Sequence, residues 1–192
     1  MSELETIEPG KWLPIYLKLE EARLFLNHLE THKRFPKLVL FYLSAFLSAS
    51  RSVTFHVQKQ IVPSFENGME KYTEVREKYL NNEVAKYFVE LRNISEKQMF
   101  LPLGFEMMEK HPNEENGEFI YTRRAASAPS TPSKHHLDWL ENVLNTEWSS
   151  YTQPRWLITD FPTGKKELFE ACEEYLASLQ MSVEVLRRSF DP

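Results

Sequence analysis

The sequence is short of cysteine, glycine and long unbroken apolar stretches, and each shortage closes off a class of protein. Cys172 is the one thiol in 192 residues, so no intrachain disulfide can form, and no metal-ligand spacing surrounds it. The expected setting is a reducing compartment, the cytoplasm, and no metal is expected. With 5 Gly and neither a G-x-G-x-x-G nor a G-x-x-x-x-G-K-S/T segment, the usual sequence signals of a nucleotide cradle are missing, and no cofactor is expected. The opening MSELETIEPG is acidic and lacks the basic, apolar, small-residue order of a secretory signal. The most apolar stretch, Leu38 to Ala49, falls short of the about 20 residues that span a bilayer and is interrupted by Ser44 and Ser48. It reads as a core helix, so no membrane partner is expected. A formal net charge of −5 argues against a general nucleic-acid coat, and no DNA partner is expected, although a local basic patch can still attract phosphate.

What is present is mostly helical periodicity. After Pro14, residues Ile15, Leu19, Ala22, Leu26 and Leu29 recur at steps of four and three, which is one face of a helix running to about Lys33. Phe35-Pro36 breaks it, and a central helix starts there and ends at Pro63. So short a link requires the two helices to pack antiparallel. The link carries His28, His32, Lys33, Arg34 and Lys37, cations that suit a helix C-terminus without any ligand. Ser64 is a candidate cap for a third helix with Phe65, Met69, Tyr72, Val75 and Tyr79 on its apolar side. Asn81-Asn82 caps a fourth, carrying Val84, Phe88, Leu91 and Ser95 toward Gln98. Last, Thr163 precedes a long helix whose face is Leu168, Cys172, Tyr175, Leu179, Val183, Leu186 and Phe190.

Between the fourth and last helices the pattern changes. Pro102 and Gly104 read as a helix stop, and His111-Pro112 to Gly117 as a polar loop. Glu118 to Arg124 and Arg155 to Phe161 are aromatic and β-branched and predict a small antiparallel pair. Residues 125–133, AASAPSTPS, predict a flexible low-complexity loop, and residues 134–150 an inserted short helix with Leu137, Leu140, Leu144 and Trp148 on one face. Trp139, Trp148, Trp156 and Tyr151 are less tied to a stripe and are candidates for a partner surface, with packing the more ordinary role. The whole, residues 1–192, reads as one domain.

Within the central helix, polar residues enter after Ala49: Arg51, Ser52, Thr54, His56, Gln58, Lys59 and Gln60 alternate with apolar ones. The segment LSAFLSASRSVTFHVQK, Leu43 to Lys59, followed by YFVELRN, Tyr87 to Asn93, resembles the paired signature helices of the HEPN group, in its branch of small bacterial proteins. RWLITDFP and the helix with CEEYLASL are similar to the same branch, so the resemblance runs from Tyr16 to Leu186 with 134–150 least matched. It implies a mainly α fold, an antiparallel up-and-down four-helix bundle with a small two-stranded β insertion before the last helix. It also implies a two-fold homodimer, with RNA or a protein as further partner, and a toxin-antitoxin or defence setting.

Active members of the group cleave RNA without metal through an Arg followed a few residues later by a His. The His moves a proton in the 2′-hydroxyl attack, and the Arg steadies charge on the phosphate. Arg92-Asn93 matches the start of that motif, but the His positions hold Lys97, Gln98 and Met99. Free Lys titrates near roughly 10.4, and amides and thioethers do not titrate in the range. The resemblance therefore implies a module that binds rather than cleaves, with Arg92 and Asn93 as a vestigial catalytic pair and Arg51, Ser52, His56 and Lys97 as binding residues. Its alternative is a metal-independent endoribonuclease using Arg92 with a substituted base such as His56, His111 or a desolvated Lys97. The structural counterpart is a buried network in which Arg51, Ser52, Arg92 and Asn93 fix helix register, since each unpaired buried polar group costs about 1–3 kcal/mol.

Overall fold

The computed structural model describes residues 10–98, 101–112, 119–128, 138–139, 141–143 and 153–190. It is mainly helical with a small antiparallel sheet. Helix α1 (Leu13–Thr31) buries Ile15, Leu19, Ala22, Leu26 and Leu29, the stripe read from its sequence. A link ending at Phe35 leads into α2 (Pro36–His56), whose first residue is proline, as suits a position with no N–H partner. The helix does not stop at Pro63. It widens into a π turn (Val57–Ile61) and tightens into a 3-10 turn (Val62–Ser64). The continuous helical stretch Pro36–Ser64 is 29 residues, long and apolar enough by composition to cross a bilayer, and thus longer than its apolar run suggests. In the fold its Val39, Leu43, Phe46, Leu47, Ser50 and Val53 side is buried among the other helices.

Helix α3 (Gly68–Tyr79) starts later than its sequence suggested, and Ser64 does not cap it: the Ser64 hydroxyl donates back to the Gln60 carbonyl at 2.8 Å. Helix α4 (Glu83–Gln98) is capped by Asn82, whose Oδ1 accepts the Ala85 N–H at 2.8 Å. The last helix, α5 (Leu168–Phe190), buries Leu168, Cys172, Tyr175, Leu179, Val183 and Leu186 as its spacing predicts. Glu167 caps it, the carboxylate accepting the Glu170 N–H at 2.8 Å.

Cross-contacts fix the helix directions. Arg23 donates to Gln180 at 2.8 Å and Arg187 to the Tyr16 hydroxyl at 3.3 Å, so α1 runs against α5. The chain entering α3 stacks Phe65 on Phe190 at 4.2 Å, Asn82 bonds Ser178 at 3.2 Å, and Phe88 meets Tyr175 at 5.0 Å. Helices α3 and α4 therefore follow one another along α5, both against its direction. Phe46 of α2 lies edge-on to both Phe88 and Tyr175, while Gln58 reaches Tyr72 on α3, so α2 runs with α5 and against α3 and α4.

The sheet corrects the two-stranded expectation. Four strands, β1 (Leu103–Pro112), β2 (Phe119–Ser127), β3 (Gln153–Ile158) and β4 (Lys166–Glu167), lie in the order β2-β1-β3-β4. The two expected strands do not pair with each other. Both pair antiparallel with β1, which had been read as a helix stop and loop, and His111 sits within β1 opposite Ile120. Ala125 to Ser127 belong to β2 rather than to a loop, while 129–133 lie outside the described residues. Of the expected inserted helix, 138–139 and 141–143 are helical; Ser133, Leu137, Leu140, Leu144 and Trp148 lie outside the described residues, as does Tyr151. Leu103, Phe105 and Met107 alternate into the core, with Phe105 edge-on to Trp156 at 5.7 Å. Trp156 is not a partner-facing ring: it is fully buried, and its indole N–H donates to the Lys33 carbonyl at 2.8 Å, pinning the sheet to the α1–α2 link.

Candidate functional site

Arg92 follows Leu91, which is buried, and so lies about 100° further round α4, at the edge of the packed face. Its side chain is 30% exposed. One terminal nitrogen meets Glu96 at 2.7 Å, one turn on, and the other donates to the Asn93 amide oxygen at 3.3 Å. The Nε–H, by contrast, is buried and has no hydrogen-bond partner among the described residues. Glu96 thus holds and partly neutralises the guanidinium, with Asn93 a longer contact beside it. The side chain of Lys97, at the first of the three motif positions, lies outside the described residues, as do the side chain of Gln98 and the whole of Met99.

Arg51 has a different setting. It is half-buried on α2, with Nη1 donating to the Thr54 hydroxyl at 2.6 Å while that hydroxyl donates to the Arg51 carbonyl at 3.0 Å. Its charge acts on two phenols, Tyr72 of α3 and Tyr175 of α5. Burial pushes the Tyr72 hydroxyl up, the Gln58 hydrogen bond and the cations Arg76 and Arg51 drawing it back in part. Burial likewise pushes Tyr175 up to about 12, against the pull of Arg51. Gln58 donates to the Tyr72 oxygen at 2.9 Å. Neither tyrosine stood out in the sequence as more than a core stripe; the signal was tyrosine where phenylalanine would pack as well, since a buried phenol wants a partner.

Ser52 bonds its own helix, donating to the Ser48 carbonyl at 2.9 Å. His56 Nδ1 accepts from Gln60 at 2.8 Å and its ring lies edge-on to Phe55, an ordinary helix-end arrangement. The structure does not bring these α2 residues together with Arg92. Helices α2 and α4 are antiparallel and cross at Phe46 and Phe88, so Arg51 and Arg92 lie on opposite sides of that crossing, about 13 Å apart along the axis at 1.5 Å per residue. No hydrogen bond or ion pair among the described residues joins Arg92 to Arg51, Ser52 or His56.

The link histidines are packed rather than simply solvated. His28 stacks on Tyr42 at 5.0 Å, His32 lies 5.4 Å from the same ring, and His32 Nδ1 donates to the His28 carbonyl at 2.7 Å. Elsewhere on α4, Tyr87 donates to Asp160 at 2.5 Å, and burial with that carboxylate pushes its phenol far above the usual range, so it stays protonated. Among the described residues no group of three or more His, Cys, Asp or Glu is arranged to hold a metal ion. Chemically, then, the arrangement offers two separate guanidinium sites. Comparison with family models, curated proteins and solved structures gave no match to this chain.

Proposed function

We propose that the chain is a HEPN-like antiparallel four-helix bundle that binds RNA or another anion without cleaving it, acting as a cytoplasmic homodimer. In this reading α1, α2 and α5 are three struts, the consecutive α3 and α4 form the fourth, and the sheet is an insertion before α5. The observation that carries the binding role is Arg92: a partly exposed guanidinium whose buried Nε–H has no acceptor among the described residues, an arrangement that helix register alone does not require. Lys97, Gln98 and Met99 in place of the motif His support binding without proton transfer. Glu96 occupies one of the two outer nitrogens, so an arriving phosphate competes with it there.

The test is binding of a short single-stranded RNA by fluorescence anisotropy, with a ribonuclease assay on the same samples. Wild type should bind in a salt-dependent way and leave the RNA intact; Arg92→Ala should weaken binding and Glu96→Gln strengthen it. No binding, or binding indifferent to both substitutions, removes the proposal. Cleavage that disappears in Arg92→Ala would instead establish the endoribonuclease alternative.

A further inference from the structure

We propose that the α1–α2 end of the bundle is a stacking platform for single-stranded RNA, with Phe35 and Phe41 taking bases and Lys33, Arg34 and Lys37 taking phosphates. The inference rests on the reading of the chain as an RNA binder and adds to it a contact surface apart from Arg92. Phe35 and Phe41 are 58% and 57% exposed. Phe35 holds the N-cap position of α2 without a side-chain hydrogen bond, a place where Ser, Thr, Asp or Asn would satisfy the helix end and a ring does not. The ring lies 6.4 Å from His32, which lies 5.4 Å from Tyr42, and His28 stacks on Tyr42 at 5.0 Å. Lys37 Nζ sits 5.8 Å from the centre of Phe41, the neighbour of Tyr42. The backbone beneath is held in place, since Trp156 donates to the Lys33 carbonyl at 2.8 Å and His32 Nδ1 to the His28 carbonyl at 2.7 Å.

The charges around these rings are of one sign. From Thr31 to Phe65 the chain has no Asp or Glu, and none of Lys33, Arg34 and Lys37 pairs with a carboxylate among the described residues. Nor do the three serve a helix end. Lys33 and Arg34 lie beyond His32, the C-cap of α1, and together with Lys37 they gather about the N-terminus of α2, where the helix dipole disfavours cations and the first turn holds no acid to offset them. Cations without carboxylates beside exposed aromatic faces match a phosphate backbone whose bases are unstacked, because every base has a face to lay on a ring. A duplex keeps those faces to itself. In the antiparallel pair α2 and α4, Arg92 lies one turn past the crossing of Phe46 and Phe88, at the level of Tyr42, so a strand laid on the platform runs at the Arg92 end of the bundle and away from Arg51.

The experiment is fluorescence anisotropy with a short labelled oligouridylate, with polyphosphate as a probe that has charge but no bases and phosphatidylglycerol vesicles as the lipid control. The double substitution Phe35→Ala with Phe41→Ala, and the pair Lys33→Gln with Lys37→Gln, are each made in wild type and in Arg92→Met. Removing both rings should weaken RNA binding roughly 5- to 100-fold in either background and leave polyphosphate binding unchanged. Removing both lysines should reduce the steepness of the salt dependence by roughly 1 to 2 in the log-log slope. Both rings are exposed, so the variants keep the fold, which far-UV circular dichroism checks. RNA affinity unmoved by the ring substitutions, a ring-dependent loss of polyphosphate binding, or vesicles bound more tightly than RNA would each overturn the platform. RNA binding that vanishes in Arg92→Met yet ignores the rings overturns the platform and leaves the Arg92 reading standing; binding that needs the rings and ignores Arg92→Met supports the platform and removes the Arg92 reading.

Discussion

Replacing Arg92 by methionine should raise stability while removing anion binding. The size of the effect follows from three contacts. Leaving the buried Nε–H without an acceptor costs the native fold about 1–3 kcal/mol, and methionine abolishes that cost. Against this stands the ion pair with Glu96 at 2.7 Å, whose partners are 30% and 42% exposed; such an i,i+4 pair contributes only about 0.3–0.5 kcal/mol. The Asn93 contact at 3.3 Å lies beyond the usual N–H···O range and adds little. Methionine retains an unbranched apolar stem, so the packing of the Arg side-chain stem is largely kept. The balance favours the variant by about 1 kcal/mol, a rise in Tm of about 2–4 °C for a chain of this size. Thermal and urea unfolding followed by far-UV circular dichroism, in phosphate-free buffer, measures it, with RNA anisotropy on the same protein. A variant less stable than wild type by 1 kcal/mol or more would show that the guanidinium is a structural tie and that the reasoning from its orphan nitrogen is wrong. A gain in stability with lost binding is the trade expected where a residue is kept for function.

Two further outcomes follow from local geometry. Gly68→Ala should destabilise by about 2–3 kcal/mol in urea unfolding. A Cβ there would lie 2.0 Å from the Val62 carbonyl oxygen and 2.9 Å from its carbon, backbone atoms that cannot swing aside; a change under about 0.5 kcal/mol would refute the clash. Glu167→Gln should alter the pH dependence of stability. Burial raises the Glu167 carboxyl above its ordinary 4.5 despite the N–H groups of Glu170 and Phe169 that hold it, so its neutral form is favoured on folding. That contribution is complete below about 4.5 and is lost as pH climbs through the higher folded-state value. Glutamine, which does not ionise, should therefore gain on wild type as pH rises from 4 to 7 in a series of urea curves; parallel pH profiles would count against it.

The helical faces were legible because periodicity is a local property. Five apolar positions of α1 and six of α5 lie buried where their spacing put them. The sheet was less legible, and β1 shows why. Its segment LGFEMMEKHP carries Glu, Lys and Met rather than β-branched residues, and becomes a strand because β2 and β3 pair with it on both sides. Gly104, read as a terminator, marks a close approach instead: a Cβ there would lie 2.8 Å from the Ala126 carbonyl oxygen and 2.9 Å from the Thr159 methyl carbon. The site was legible in part. Arg51 stood out among the polar residues that enter the central helix after Ala49, and Arg92 through the resemblance of its segment, yet periodicity gives the face a residue occupies and not its level along the bundle. That level depends on helix direction, and antiparallel packing about Phe46 and Phe88 moves the two arginines apart.

That separation gives the two arginines opposite electrostatic positions in a chain of net charge −5, whose field at long range repels anions. An anion reaching Arg92 must first displace the Glu96 carboxylate, exchanging one charged hydrogen-bond acceptor for another, so its net gain rests on what it can add at the buried Nε. Arg51, by contrast, donates to the Thr54 hydroxyl of its own helix at 2.6 Å and pairs with no carboxylate among the described residues. Glu70, Glu74 and Glu77 of α3 are exposed, with Glu74 and Glu77 pairing outward with Lys71 and Arg76, so that helix carries its acidic side chains on its outer face. A polyanion such as RNA, able to offer many phosphates at once, is therefore the ligand that can overcome Glu96.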